Sequence, residues 1–171
     1  MDKTGKTITK RENPNDVFVT PDTLVNLHFD LTAPYLKNGD QILDPCAHVT
    51  RKYYNKFIEH GFEADWCEIT EGRDFFEYDG EATDVVCSNP PYSLIDMFLE
   101  KIISFDPRVV SLLIGFANLT TRRMEMMEKA GYRIAVFNLT KVFKWYGMSL
   151  IVVWVRDGGE SVVGFDRKVH R

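Results

Sequence analysis

The sequence predicts an α/β fold with a mostly parallel sheet that ends in a C-terminal antiparallel hairpin. Three observations carry this expectation. Short apolar runs of strand length alternate with segments of helical periodicity along the chain. The run 108–116 is apolar almost throughout, as in strands covered on both faces of a parallel sheet. The last two runs, 132–142 and 149–156, are separated only by a short aromatic loop, so they are expected to lie side by side.

The elements follow in order. Residues 1–16 are polar and read as a flexible basic arm carrying Lys3, Lys6, Lys10 and Arg11. Thr20-Pro21 reads as a helix start, with Thr20 at the cap and Pro21 at the first helical position. Leu24, Leu27, Leu31 and Tyr35 then follow helical spacing, and the turn at 37–40 closes that element. Residues 41–45 form a short strand running into Pro45. A helix is expected over 50–60, with Tyr53, Phe57 and Ile58 on its buried side and Gly61 at its end. Strands over 63–69 and 84–88 come next, the second halted by Pro90-Pro91. An amphipathic helix over 93–105, the strand 108–116, a helix over 120–130 and the two final strands complete the pattern. Residues 17–171 are thus expected to form one catalytic domain without a separate target-recognition domain, since only residues 157–171 follow the last predicted strand.

Composition narrows the function classes. Of 171 residues, 44% are hydrophobic and 27% charged, which excludes a disordered, collagenous or coiled-coil chain. The longest apolar run, 150–155, is far too short to cross a bilayer, and the N-terminus lacks the apolar stretch of a secretory signal. An odd number of cysteines (Cys46, Cys67 and Cys87) reads as reduced thiols, hence a cytoplasmic location and no membrane partner. The net charge of −4 leaves no broad phosphate-binding face. Local basic clusters are confined to the arm, the pair Arg122-Arg123, Lys144 and the tail Arg167, Lys168, His170 and Arg171. Most such clusters are only solvated surface.

In an α/β sheet the ligand lies beyond the carboxyl ends of the strands, and there the unusual residues of this chain gather: Asp44, Glu68, Asp74 and Asn89. The strongest signal is Asn89-Pro90-Pro91-Tyr92. Two prolines fix two φ angles and remove two donors, and Pro90 forces Asn89 to be extended. The product is a stiff turn presenting an amide oxygen, unpaired carbonyls and an aromatic ring. Asn89 Oδ1 and the Pro90 carbonyl can each accept one N–H of a primary amine, while Tyr92 stacks on the ring that carries it. A rigid turn that merely ends a strand is the plain alternative. Asp74 can equally cap a turn, one of Phe75 and Phe76 is expected in the core, and Glu68 can be a surface charge.

These motifs resemble those of S-adenosylmethionine-dependent adenine-N6 DNA methyltransferases, over roughly residues 17–156. The resemblance implies a Rossmann-like methyltransferase fold, S-adenosylmethionine as cofactor and no metal. It assigns catalysis to Asn89, Pro90, Pro91 and Tyr92. Phe18-Val19-Thr20-Pro21 resembles the element that contacts the cofactor's methionine part. Asp44-Pro45-Cys46-Ala47-His48 resembles the cofactor loop after the first strand, and Glu68 the acid that binds the ribose. Asp74-Phe75 resembles the pair flanking the cofactor's adenine, and Asn89 also borders the cofactor. Tyr92, Phe143, Lys144 and Trp145 are implied to hold the target base, with Tyr146 a further aromatic; a plain hairpin cluster explains that loop equally well. His48 is expected to be structural.

The sequence departs from the family pattern in having no glycine among Asp44-Pro45-Cys46-Ala47-His48-Val49-Thr50-Arg51, where a Cβ is expected to crowd the cofactor. The expected reaction is methyl transfer to the N6 amine of adenine in nucleic acid, DNA before RNA, with a second subunit or a homodimer supplying recognition. Two rivals stand beside it. One is an RNA-adenine or protein-glutamine methyltransferase; the other is a binding or scaffold subunit of the same fold without activity.

Overall fold

The computed structural model describes residues 18–80, 82–142, 147–156 and 159–170. The arm 1–16 and the loop residues Phe143, Lys144, Trp145 and Tyr146 lie outside the described residues. The helices are α1 (Asp22–Thr32), α2 (Lys52–Glu59), α3 (Ile95–Ser104) and α4 (Thr121–Lys129). The strands are β1 (Gln41–Asp44), β2 (Glu63–Trp66), β3 (Val85–Ser88), β4 (Val109–Gly115), β5 (Arg133–Val142), β6 (Met148–Val155) and β7 (Val162–His170).

All seven strands join one sheet in the order β2-β1-β3-β4-β6-β5-β7. Strands β1 to β4 pair in parallel. Strand β6 runs antiparallel to both β4 and β5, which makes the expected hairpin. Strand β7 then pairs parallel to β5 at the edge. This last strand falls in the stretch expected to be a tail. Its pairing with β5 satisfies backbone groups that a tail would leave to water.

Side-chain alternation along the central strands sorts the core into two layers. Val110, Leu112 and Ile114 of β4 join Leu150, Val152 and Trp154 of β6 beneath Ile95, Phe98, Leu99 and Ile102 of α3 and Met127 of α4. Val109, Val153 and Val155 face the other way, against Val25 and Phe29 of α1 and Tyr53 and Phe57 of α2. Helices thus cover both faces, which explains why β4 is buried along its whole length.

Several elements differ from expectation for physical reasons. Pro21, not Thr20, caps α1: its carbonyl accepts from the amides of Leu24 and Val25, and no side chain caps the helix. The buried face of α1 is Leu24, Val25, His28, Phe29 and Thr32, so the helix is rotated away from the Leu24–Leu27–Leu31 stripe. Polar partners inside the core make that rotation affordable. Ile58 of α2 is 45% exposed, leaving Tyr53 and Phe57 as that helix's anchors. Strand β2 stops at Trp66 because Cys67 turns to bond the loop after β1, donating to the Asp44 carbonyl and accepting from Ala47 N. At the opposite end of the sheet, Arg108 binds both carboxylate oxygens of buried Asp40 at 2.8 and 2.6 Å and donates to the Tyr35 carbonyl at 2.8 Å.

Candidate active site

The carboxyl ends of β1 and β3 lie side by side in the parallel sheet. Asp44 closes β1 and is 1% exposed. Its Oδ1 accepts from Ser88 Oγ at 2.6 Å and from Cys46 N at 3.3 Å. Its Oδ2 is buried without a hydrogen bond among the described residues, although the Tyr54 amide is near enough to favour the charged form. Burial dominates and pushes the Asp44 carboxyl up to about 7, with repulsion from Glu68 adding to it and the Ser88 and Cys46 bonds and the nearby Tyr54 amide opposing it. A buried acid with an open oxygen suits a cationic or hydrogen-bond-donating ligand.

Glu68 lies two residues beyond β2 rather than at its end, and is 2% exposed. Its Oε1 accepts from Thr70 N at 3.0 Å and Thr70 Oγ1 at 2.7 Å, so the acid also caps the short 3₁₀ turn Ile69–Glu71. Asp74 likewise caps the next turn, accepting from Phe76 N at 2.9 Å. Of the pair Phe75 and Phe76, Phe75 is the core member. It is 3% exposed, with its ring stacked on Phe98 at 5.0 Å between centroids, because the turn capped by Asp74 directs it into the core.

Phe18, Thr20, Cys46, Ala47 and Asn89 share one cavity, together with His48, Thr50, Lys52 and Tyr53. Pro21 and Pro45 are buried beside it and serve as backbone supports. Lys52 opens α2, where its ammonium pairs with Asp22 at 2.7 Å. It gives the cavity a cation near a helix N-terminus, a setting that suits a carboxylate. Sequence reading passed over Ser88, Thr50, Lys52 and Tyr53. Ser88 was findable as the neighbour of Asn89; Thr50 lies in the turn before α2 and Lys52 and Tyr53 in its first turn, which become a cavity wall only in three dimensions.

The loop without glycine makes the turn that glycine usually serves. His48 and Arg51 hold φ of +54° and +47°, in the left-handed region. This costs a non-glycine residue about 1 kcal/mol each. His48 offsets the cost locally, its Nδ1 lying 3.3 Å from both Thr50 N and Thr50 Oγ1. Arg51 stacks 3.9 Å from the Trp66 ring centre and pairs with Glu71. The loop thus takes a left-handed backbone at two positions without any glycine.

Asn89 and Tyr92 stand half-buried at the end of β3, on buried Pro90 and Pro91. Asn89 Nδ2 donates to Thr20 Oγ1 at 3.2 Å, leaving its Oδ1 as the acceptor. The Tyr92 ring lies against Gly115 at the end of β4. A Cβ there would sit 3.2 Å from Tyr92 Cε2 and 2.8 Å from Asn118 Nδ2, so the glycine is what admits the ring.

The buried Asp44 oxygen and the nearby Glu68 carboxylate can accept from ammonium and hydroxyl groups, and Lys52 supplies a cation for a carboxylate, the groups that a sulfonium nucleoside with an amino-acid arm such as S-adenosylmethionine carries. Among the described residues no helix is long and apolar enough to cross a membrane. No protein-family model and no curated protein matches the chain. Solved structures do. The Mtq2–Trm112 complex of E. cuniculi, responsible for methylation of the translation termination factor eRF1, matches with a TM-score of 0.61 at 15% identity, covering 83% of this chain and 99% of that one. Precorrin-6y C5,15-methyltransferase from Geobacter metallireducens GS-15 matches with a TM-score of 0.53 at 12% identity, covering 86% and 93%. Likeness over nearly the whole of both chains shows that this protein has the Rossmann-like fold of methyltransferases.

Proposed function

We propose that the protein is an S-adenosylmethionine-dependent amino-methyltransferase acting on the N6 amine of adenine in nucleic acid, DNA before RNA. One observation carries the reading: the Asn89 carboxamide is held by its nitrogen, so its oxygen is left to accept from an amine beside the Tyr92 ring.

Asp44, Glu68, Lys52 and the Phe18–Thr20 segment would hold the cofactor, which supplies an electrophilic methyl group when bound. Asn89 Oδ1 and the Pro90 carbonyl accept the two amine protons, drawing the nitrogen lone pair out of conjugation and spreading the positive charge that grows on it. Tyr92 stacks on the base, and the proton shed by the methylated amine passes to water. A paired base cannot enter, so the substrate is unpaired or flipped. With a net charge of −4, phosphate contacts are few, and a second subunit is the expected source of affinity and sequence recognition.

A second reading is favoured by the likeness to the Mtq2–Trm112 complex: the same acceptors would hold a glutamine carboxamide of a protein substrate. Against it stands Thr20, which reaches the site from ahead of β1 and bonds Asn89, as in the adenine-type motif order. Titration with S-adenosylmethionine followed by transfer of a labelled methyl group to single-stranded DNA, RNA or a glutamine peptide tests both. Binding with label in adenine supports the first reading. Absence of binding would leave the inactive-scaffold rival.

A further inference from the structure

A cavity of about 390 Å³ lies at the end of the sheet opposite Asn89, beside the amino ends of β1, β2 and β3. Strand β2 is the sheet edge, and among the described residues its connection to β3 holds only the one-turn helices Ile69–Glu71 and Phe75–Glu77. Gln41 and Glu63 are register partners, and Asp65 follows Glu63 by two residues, so all three side chains share one face of β1 and β2. Tyr78, Gly80 and Thr83 of the connection line the same cavity, and Ile42 and Ala82 add apolar surface.

The hydrogen bonds already made show which groups are left. Asp65 is engaged through both oxygens: Oδ1 accepts from Arg73 at 2.6 Å and from Trp66 N at 2.8 Å, and Oδ2 accepts from Tyr78 Oη at 2.9 Å. Burial first, and then that bond, push the Tyr78 phenol well above its usual range, so it remains a donor to Asp65. The Tyr78 ring lies against the backbone at Gly80, where an added Cβ would sit 2.1 Å from Tyr78 Cζ. Glu63 Oε2 accepts from Gln41 Nε2 at 2.5 Å, which leaves Glu63 Oε1 and Gln41 Oε1 as acceptors. Thr83 supplies a third oxygen. It is 7% exposed, its hydroxyl has no hydrogen bond among the described residues, and the access it keeps is to the cavity that it lines.

The surrounding charge is negative. The connection carries Glu77, Asp79, Glu81 and Asp84 within eight residues and no basic residue among them, while Arg73 is committed to Asp65. Three acceptors, one of them a carboxylate oxygen, match the three N–H groups of a primary ammonium. An aromatic wall suits the cation, and the apolar surface suits an alkyl chain behind it. A bare metal ion would require about six oxygens and would leave most of the cavity unfilled.

We propose that this cavity binds a primary alkylammonium group, carried by a free polyamine or by a lysine side chain of a partner protein. Glu63 Oε1, Gln41 Oε1 and Thr83 Oγ1 accept its N–H groups, and the Tyr78 ring flanks its chain. The site is separate from methyl transfer, which is placed at the carboxyl ends of the strands.

The test is titration of the full chain, without cofactor, by calorimetry and by the backbone amide NMR signals of Glu63, Gly80 and Thr83. Cadaverine probes the free polyamine, Nα-acetyl-lysine methylamide probes the lysine side chain, and pentanol is the neutral control. One or both amines should bind saturably with shifts centred on these residues, the tighter of the two naming the source, and pentanol should not bind. Glu63→Gln should weaken binding about tenfold, the loss of one charge-assisted hydrogen bond. Thr83→Val should weaken it about fivefold, and Thr83→Ser should restore it. No saturable binding of either amine, equal binding of pentanol, or an affinity unmoved by both Glu63→Gln and Thr83→Val would overturn the site. S-adenosylmethionine affinity should be the same in Glu63→Gln as in the wild type. A protein that binds the amine but no cofactor would keep this site and lose the methyltransferase reading.

Discussion

Replacing Asp44 with asparagine should stabilise the cofactor-free protein at high pH while weakening its affinity for S-adenosylmethionine. Burial raises the Asp44 carboxyl from its ordinary value of 3.8 to about 7. Between those values the folded chain binds a proton that the unfolded chain has released, so stability falls as pH rises from about 4 to about 7. A shift of about three units at about 1.4 kcal/mol each sets an upper bound near 4 kcal/mol on that loss. Asparagine keeps an acceptor for Ser88 Oγ but buries an N–H where Oδ2 now lies, which costs about 1–3 kcal/mol. Asp44→Asn should therefore gain about 1–3 kcal/mol over the wild type at about pH 8 and nothing at about pH 5. Urea denaturation of both proteins at the two pH values, without cofactor, measures the difference and cancels the other titrating groups. A difference that does not grow with pH would refute the claim that Asp44 is held ionised at a cost. Wild-type affinity for the cationic cofactor should likewise rise with pH through about 7, and Asp44→Asn should flatten that rise.

Asn89→Ala should lower methyl transfer by about 10²–10³ while cofactor affinity, read by calorimetry, stays nearly unchanged; retained turnover would remove Asn89 from the chemistry. Gly115→Ala should displace the Tyr92 ring and cut kcat/KM about tenfold while shifting stability by only about 1 kcal/mol, since its φ of −64° suits alanine. Arg108→Ala should cost about 3–5 kcal/mol in chemical denaturation, because it leaves Asp40 buried and unpaired, and Asp40→Asn in the same background should recover part of the loss.

The central fold was legible because its determinants are local. Continuous apolar runs gave β3, β4 and β6, and Pro90-Pro91 marked the strand end that carries Asn89. Strand β7 was not legible. Val163 and Phe165 are 77% and 70% exposed, and an edge strand whose apolar residues face solvent, followed by basic residues, lacks the pattern of a buried one. The sharp turns at His48 and Arg51 were hidden for a different reason: glycine is the residue that usually announces a left-handed backbone, and here tertiary contacts of Arg51 with Trp66 and Glu71 support it instead. Thr20 looked like a helix cap because Thr-Pro ahead of an apolar stripe usually is one. Its hydroxyl serves Asn89, a partner 69 residues away that no local pattern names. His28 was invisible in the same way, since Tyr53 and Ser111 are 25 and 83 residues distant.

The central claim is that Asn89 presents its oxygen to an adenine amine. Its most direct test is nucleoside mass spectrometry after incubating the protein with methyl-labelled S-adenosylmethionine and random-sequence single- and double-stranded DNA. The account predicts labelled N6-methyladenine, more in single strands than in duplex, and none with Asn89→Ala. Cofactor binding without label in any adenine, or label that persists in Asn89→Ala, would contradict it.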